Sequence, residues 1–177
     1  MKTPFNSQFL FCIILIVFSS CSNNEKNETS TDIFISYANE KGNSFFSLPP
    51  GIVSVFLDEK QVGNTELKSL LEDTNKISFL IINNKNESKE SSTLIDIVKR
   101  LEAINFQDLV MVNSGNEMVR VKIQREEEKI NEMVVLVSNQ DAIYCVSFHG
   151  KISFDKIIDL NQPQNIAAVS NLNRFKR

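Results

Sequence analysis

The hydrophobic pattern changes period near residue 107, and that change restricts the chain to a fold combining helices with an antiparallel sheet. Before it, Leu94, Ile97, Val98, Leu101 and Ile104 recur at three- and four-residue steps, which gives a helix one apolar face. Lys99, Arg100 and Glu102 fall on the other face, and Ser92 is placed to cap the helix. After it, apolar residues alternate. Val119, Val121 and Ile123 share one side of a strand, and Met118, Arg120, Lys122 and Gln124 share the other. Strands are expected at 108–112, 117–124, 132–138 and 142–149. The links between them are short (a turn at 113–116, a charged stretch at 125–131, a turn at 139–141), so the strands form an antiparallel meander.

Upstream, Lys76 to Ile82 (KISFLII) is a nearly continuous apolar run of strand length and reads as a buried central strand. Pro49-Pro50-Gly51 opens a short helix, since proline suits a first turn whose N–H groups have no partner. A second short helix starts at Asn64 or Thr65, with Leu67, Leu70 and Leu71 on one side. After Gly150 breaks the last strand, Ser153 caps a helix carrying Phe154, Ile157, Ile158 and Leu160, and Pro163 ends it. Residues 33–44 are open between helix and loop. The expected class is α+β: two-layer, with the antiparallel strand meander covered on one face by helices.

The amino terminus carries a different kind of information. Lys2 precedes an unbroken apolar run from Phe9 to Phe18, about ten residues and so of signal-peptide length. A spanning helix needs roughly 20 apolar residues, and the polar residues from Ser19 onward stop the run well short of that. Val17-Phe18-Ser19-Ser20-Cys21 resembles a bacterial lipobox, with Phe18 where Leu is usual. That resemblance implies a diacylglyceryl group on Cys21 and removal of residues 1–20 as a lipoprotein signal peptide. Residues 21–32, which include the apolar-free stretch SNNEKNETSTD, read as a polar tether. Residues 33–162 form a single α+β domain, and 163–177 a C-terminal tail.

Charge and cysteine content exclude several function classes. The chain has 177 residues and a formal net charge of −3. Loss of Lys2 with the leader leaves 18 basic against 22 acidic residues and no basic cluster, which argues against a nucleic-acid partner. Of three cysteines, Cys12 leaves with the leader and Cys21 takes the lipid, so Cys145 has no partner for an internal disulfide. His149 is the only histidine and cannot build a multi-histidine metal site. Cys145 and His149 lie four residues apart on one strand, about 13 Å along it at 3.3 Å per residue, too far for a nucleophile–base pair. The Glu126-Glu127-Glu128 run reads as a solvated link. No catalytic residue, metal site or cofactor is expected, and the chain reads as not an enzyme.

The segments FFSLPPGIVSVFLD, KISFLII and MVRVKIQREEEKINEMVVLVSNQDAIYCVSFHGKISFDKIIDL resemble Bacteroidota lipoproteins of the domain-of-unknown-function 4252 family. The resemblance covers roughly residues 32–161 plus the leader. It implies a small exported lipoprotein with one α+β domain, and it brings no activity and no site residues. The chain is therefore expected to be a lipid-anchored cell-envelope protein, held by Cys21 at the outer membrane facing the periplasm, because Ser22-Asn23-Asn24 rather than acidic residues follow the cysteine. The expected role is a non-enzymatic binding or assembly module. The alternative is a carrier or sensor of a hydrophobic ligand held between helices and sheet. Met118, Arg120, Lys122 and Gln124, on the strand face away from the expected helical cover, form the candidate surface for an envelope protein partner.

Overall fold

The computed structural model describes residues 28–58, 60–84, 88, 91–126, 128–160, 162, 165 and 168. The signal peptide, Cys21, the first part of the tether, Glu127 and most of the tail lie outside the described residues.

Among the described residues, eleven elements follow in the order α1 (Ser30–Ala38), β1 (Ser44–Leu48), α2 (Pro50–Val55), α3 (Asn64–Glu72), β2 (Thr74–Asn83), α4 (Ser92–Ala103), β3 (Gln107–Ser114), β4 (Glu117–Glu126), β5 (Lys129–Ser138), β6 (Ala142–Ile152) and α5 (Phe154–Leu160). The strands form one six-stranded sheet in the order β1-β2-β6-β5-β4-β3, and every adjacent pair is antiparallel. The α+β class and the meander expected from the periodicity are both present. The meander β3–β4–β5–β6 brings its last strand back beside β2, so α4 is the crossover that carries the chain from the β2 region to the far edge.

The layering departs from the expectation of a sheet covered on one face. Helices lie on both faces. One core gathers Val53 of α2, Leu67, Leu70 and Leu71 of α3, and Ile157 and Leu160 of α5 against Ile77, Phe79, Val121, Val135 and Phe148. The other gathers Ile33, Phe34 and Tyr37 of α1 with Leu94, Ile97, Val98 and Leu101 of α4 against Leu80, Val134, Leu136, Ile143 and Cys145. The physical reason lies in the central strands. In β5, Met133, Val135 and Val137 point to the first core while Val134 and Leu136 point to the second. A strand that is apolar on both sides must be covered on both sides. Each fully buried Leu, Ile or Phe contributes roughly 1.5–3 kcal/mol, so neither face is left bare.

Local boundaries also shift for identifiable reasons. Helix α1 begins inside the expected tether, because Thr29 and Asp32 form a reciprocal capping box: the Thr29 hydroxyl accepts from Asp32 N–H, and the Asp32 carboxylate accepts from Thr29 N–H. The α4 N-cap is Ser91 rather than Ser92. At its other end Phe106 N–H donates to Leu101 O and Asn105 N–H to Glu102 O, a Schellman closure with Asn105 at φ 69°. The charged stretch 125–131 is mostly strand, since β4 runs to Glu126 and β5 starts at Lys129. Gly150 does not end β6, which continues to Ile152. It sits at a register shift where a Cβ would lie 2.0 Å from Asp73 O, so glycine lets the α3–β2 corner close against the strand.

Candidate functional site

The second core face carries two polar constructions within otherwise apolar packing, and both depend on pairs distant in sequence. The first lies under the start of α1. Cross-strand pairing sets Glu132 of β5 opposite His149 of β6, and His149 opposite Lys76 of β2. Glu132 is 5% exposed. Its Oε1 accepts from the hydroxyls of Ser30 and Ser147. On its other side, Oε2 lies 3.3 Å from His149 Nδ1. Lys76 Nζ donates to Thr31 Oγ1 at 3.4 Å. Burial raises the Glu132 carboxyl above the ordinary carboxylate range, against the opposing pull of the two hydroxyls and Lys76. Burial and the Lys76 ammonium push the His149 imidazole down to about 4, and its Nε2 is buried without a hydrogen-bond partner.

This cluster contains a serine, a histidine and a carboxylate, the residue types of a hydrolytic triad. Its connectivity is different. A triad needs the imidazole between hydroxyl and carboxylate so that it can take the hydroxyl proton. Here both hydroxyls donate directly to the carboxylate. The arrangement fastens the first turn of α1 to the sheet. A second fastening joins α1 to α4: Tyr37 donates to Asp96, Arg100 donates to Ser36 Oγ at 2.8 Å and pairs with Glu28, and the Arg100 guanidinium stacks 5.5 Å over the Tyr37 ring. Burial, then the bond to Asp96, pushes the Tyr37 hydroxyl up to about 12. Cys145 is fully buried in the same core, and burial raises its thiol far above the ordinary value.

The second construction involves the four residues expected to form an open partner surface. The structure corrects that expectation, because α4 covers their row. Met118 is 2% exposed and Lys122 is 0% exposed. Lys122 Nζ reaches Glu102 of α4 at 2.9 Å and Asp108 of β3 at 3.0 Å. Gln124 Nε2 donates to Ile104 O at 2.8 Å, satisfying a carbonyl at the end of α4. These residues hold the crossover helix to the sheet.

Arg120 differs from its neighbours. It is half-buried, its Nε is buried with no hydrogen-bond partner, and no ion pair reaches it among the described residues. It lines a groove of about 400 Å³ between α4 and β4, whose other walls are Leu94, Ile95, Val98, Lys99, Glu102 and Met118. Leu94, Val98 and Met118 are buried, while Ile95 is 48% exposed. Among the described residues, the charged groups on the wall are Arg120, Lys99 and Glu102, and Glu102 is engaged by Lys122. Of the four expected residues, then, the structure brings Met118 and Arg120 into one site. It adds residues of α4: Leu94 and Val98 from the apolar stripe, whose spacing signals core packing, and Ile95, Lys99 and Glu102 from outside it.

A model of the family described as domain of unknown function (DUF4252) matches residues 37–160. The chain belongs to this family. The match spans the structure from the end of α1 to the end of α5, so both the groove and the Glu132 cluster, apart from its Ser30 and Thr31 contacts, fall within it. No curated protein and no solved structure matches the chain. Among the described residues, no helix is long and apolar enough to cross a membrane, and no group of three His, Cys, Asp or Glu side chains is placed to hold a metal ion.

Proposed function

We propose that this family member is a non-enzymatic binding module of the cell envelope, tethered through lipid on Cys21 to the outer membrane on its periplasmic side, and that it binds in the α4–β4 groove. The observation that carries the reading is Arg120, half-buried on an apolar groove wall and reached by no ion pair among the described residues. A charge-assisted hydrogen bond from its guanidinium to a bound acceptor would contribute roughly 1.5–3 kcal/mol. The lipobox-like Val17–Cys21 stretch supports the tether. An interior hydrophobic ligand, the alternative, finds less support. Away from the α4–β4 groove, both layers between helices and sheet are occupied by side chains with no exposure, such as Leu67, Leu70 and Phe148 on one side and Phe34, Leu80 and Leu101 on the other.

Photo-crosslinking in the native envelope tests the reading. A benzophenone side chain replacing exposed Ile95 should give a discrete adduct that Arg120→Gln abolishes. The same group at exposed Lys151, on the far part of β6, should give none. Equal adducts from both positions, or adducts insensitive to Arg120→Gln, would remove the groove as the binding site.

A further inference from the structure

We infer that the groove takes an amphipathic carboxylate, a medium-length apolar chain ending in a single carboxyl group, with Arg120 as its anion partner. This rests on the reading of the groove as the binding site. Three features select that class. The floor is apolar: Leu94, Val98 and Met118 are at most 7% exposed and offer no polar side-chain atom apart from the Met118 thioether. The cavity, about 400 Å³, falls within the range of small-molecule sites rather than extended macromolecular interfaces. Among the described residues the charge on the wall is one cation in excess, since Lys99 and Arg120 stand against Glu102.

That excess decides between anions. A carboxylate brings one negative charge and two oxygens in the plane that a guanidinium fork matches. A phosphate dianion would bring two negative charges to a wall whose described charges sum to a single excess cation. Glu102 does not compete for Arg120, because Lys122 Nζ holds its Oε1 at 2.9 Å and is itself fully buried. The Lys122 pairing therefore keeps the Arg120 guanidinium available. Lys99 is exposed at the rim and adds attraction without fixed geometry.

The test uses three probes on the folded domain, below their micelle concentrations at neutral pH: decanoate, decanol and acetate. Methyl NMR signals of Leu94, Val98 and Met118 report occupancy of the groove. Decanoate should shift them saturably. Decanol, with the chain and no charge, should bind about tenfold weaker or worse, the usual worth of a charge-assisted hydrogen bond. Acetate, with the charge and almost no chain, should leave them unmoved. Arg120→Gln should weaken decanoate by a similar factor and leave decanol unchanged, with the thermal midpoint preserved, since the guanidinium has no partner to lose. Equal binding of decanol and decanoate, or decanoate binding unchanged in Arg120→Gln, would overturn the carboxylate assignment and leave the groove standing as an apolar binding site. No response of these methyls to any probe would overturn the assignment as well, and the crosslink from position 95 would then decide the groove separately.

Discussion

Removing Lys122 and removing its two partners break the same ion cluster, yet the two perturbations should differ several-fold in cost. Lys122 has no exposed side-chain surface, while Glu102 and Asp108 are 48% and 49% exposed. In Lys122→Met the carboxylates return to water, where they are well solvated, and a methionine of similar length refills the space under α4. Replacing a buried ionic group by an apolar one of similar volume is often neutral or stabilising. The expected change is within about 1 kcal/mol of wild type. In the double variant Glu102→Ala/Asp108→Ala the ammonium stays between α4 and β4 with no counter-charge. Breaking a buried pair from one side costs about 3–5 kcal/mol. Because both carboxylates reach solvent, water can enter and place the result at the lower end of that range. Either single variant leaves one carboxylate at about 3 Å and should cost about 1 kcal/mol. Urea unfolding of the four variants at neutral pH measures all of these on one scale. If Lys122→Met proved as destabilising as the double variant, Lys122 would be contributing through its attractive energy rather than through the cost of stranding it, and the reasoning would fail.

Three further predictions follow from the packing. Gly150→Ala should destabilise by about 2 kcal/mol or more, since a Cβ there meets Asp73 O at 2.0 Å and Thr74 Cα at 2.9 Å and the corner must move; a loss under about 0.5 kcal/mol in urea unfolding would show that the corner yields freely. His149, the only histidine, should titrate near 4 by NMR rather than near its ordinary 6.5. Its depressed value means that the unfolded chain takes the proton first, so its contribution is fully present above pH 6.5 and is lost as pH falls toward 4, up to about 3 kcal/mol. Glu132, raised by burial, takes its proton earlier in the folded state and offsets part of that loss, so Glu132→Gln should steepen the acid side of the stability profile and His149→Gln should flatten it. A midpoint near 6.5 would mean that the imidazole is solvated. Cys145, buried and with its thiol raised by burial, should resist alkylation in the native protein and react only on unfolding; labelling within seconds at neutral pH would contradict its burial.

The meander and the α4 stripe were legible because each is a local periodicity of adequate length. The two-sided cover was also written locally, in the consecutive apolar residues of Lys76–Ile82 and Met133–Val137, but β4 alternates and invites the opposite reading. Its polar row is covered because the α4 crossover must travel back over the sheet to reach the far edge, a consequence of strand order rather than of any short segment. Lys122 illustrates the point: alternation puts it on the polar side, and only the positions of Glu102 and Asp108 let it be buried there. The Glu132–His149–Ser30 cluster joins residues more than 100 positions apart and had no local signal. Glycine commonly ends strands, whereas Gly150 marks a close approach of backbone to backbone inside one.

The most direct measurement is the mass of the mature protein extracted from its own envelope, taken first under native and then under denaturing conditions. The expected result is a chain beginning at Cys21 with covalent lipid in the denatured spectrum. The native spectrum should show a further small-molecule adduct, present in wild type and missing in Arg120→Gln. A chain with an unmodified amino terminus and no adduct that depends on Arg120 would contradict both the tether and the groove.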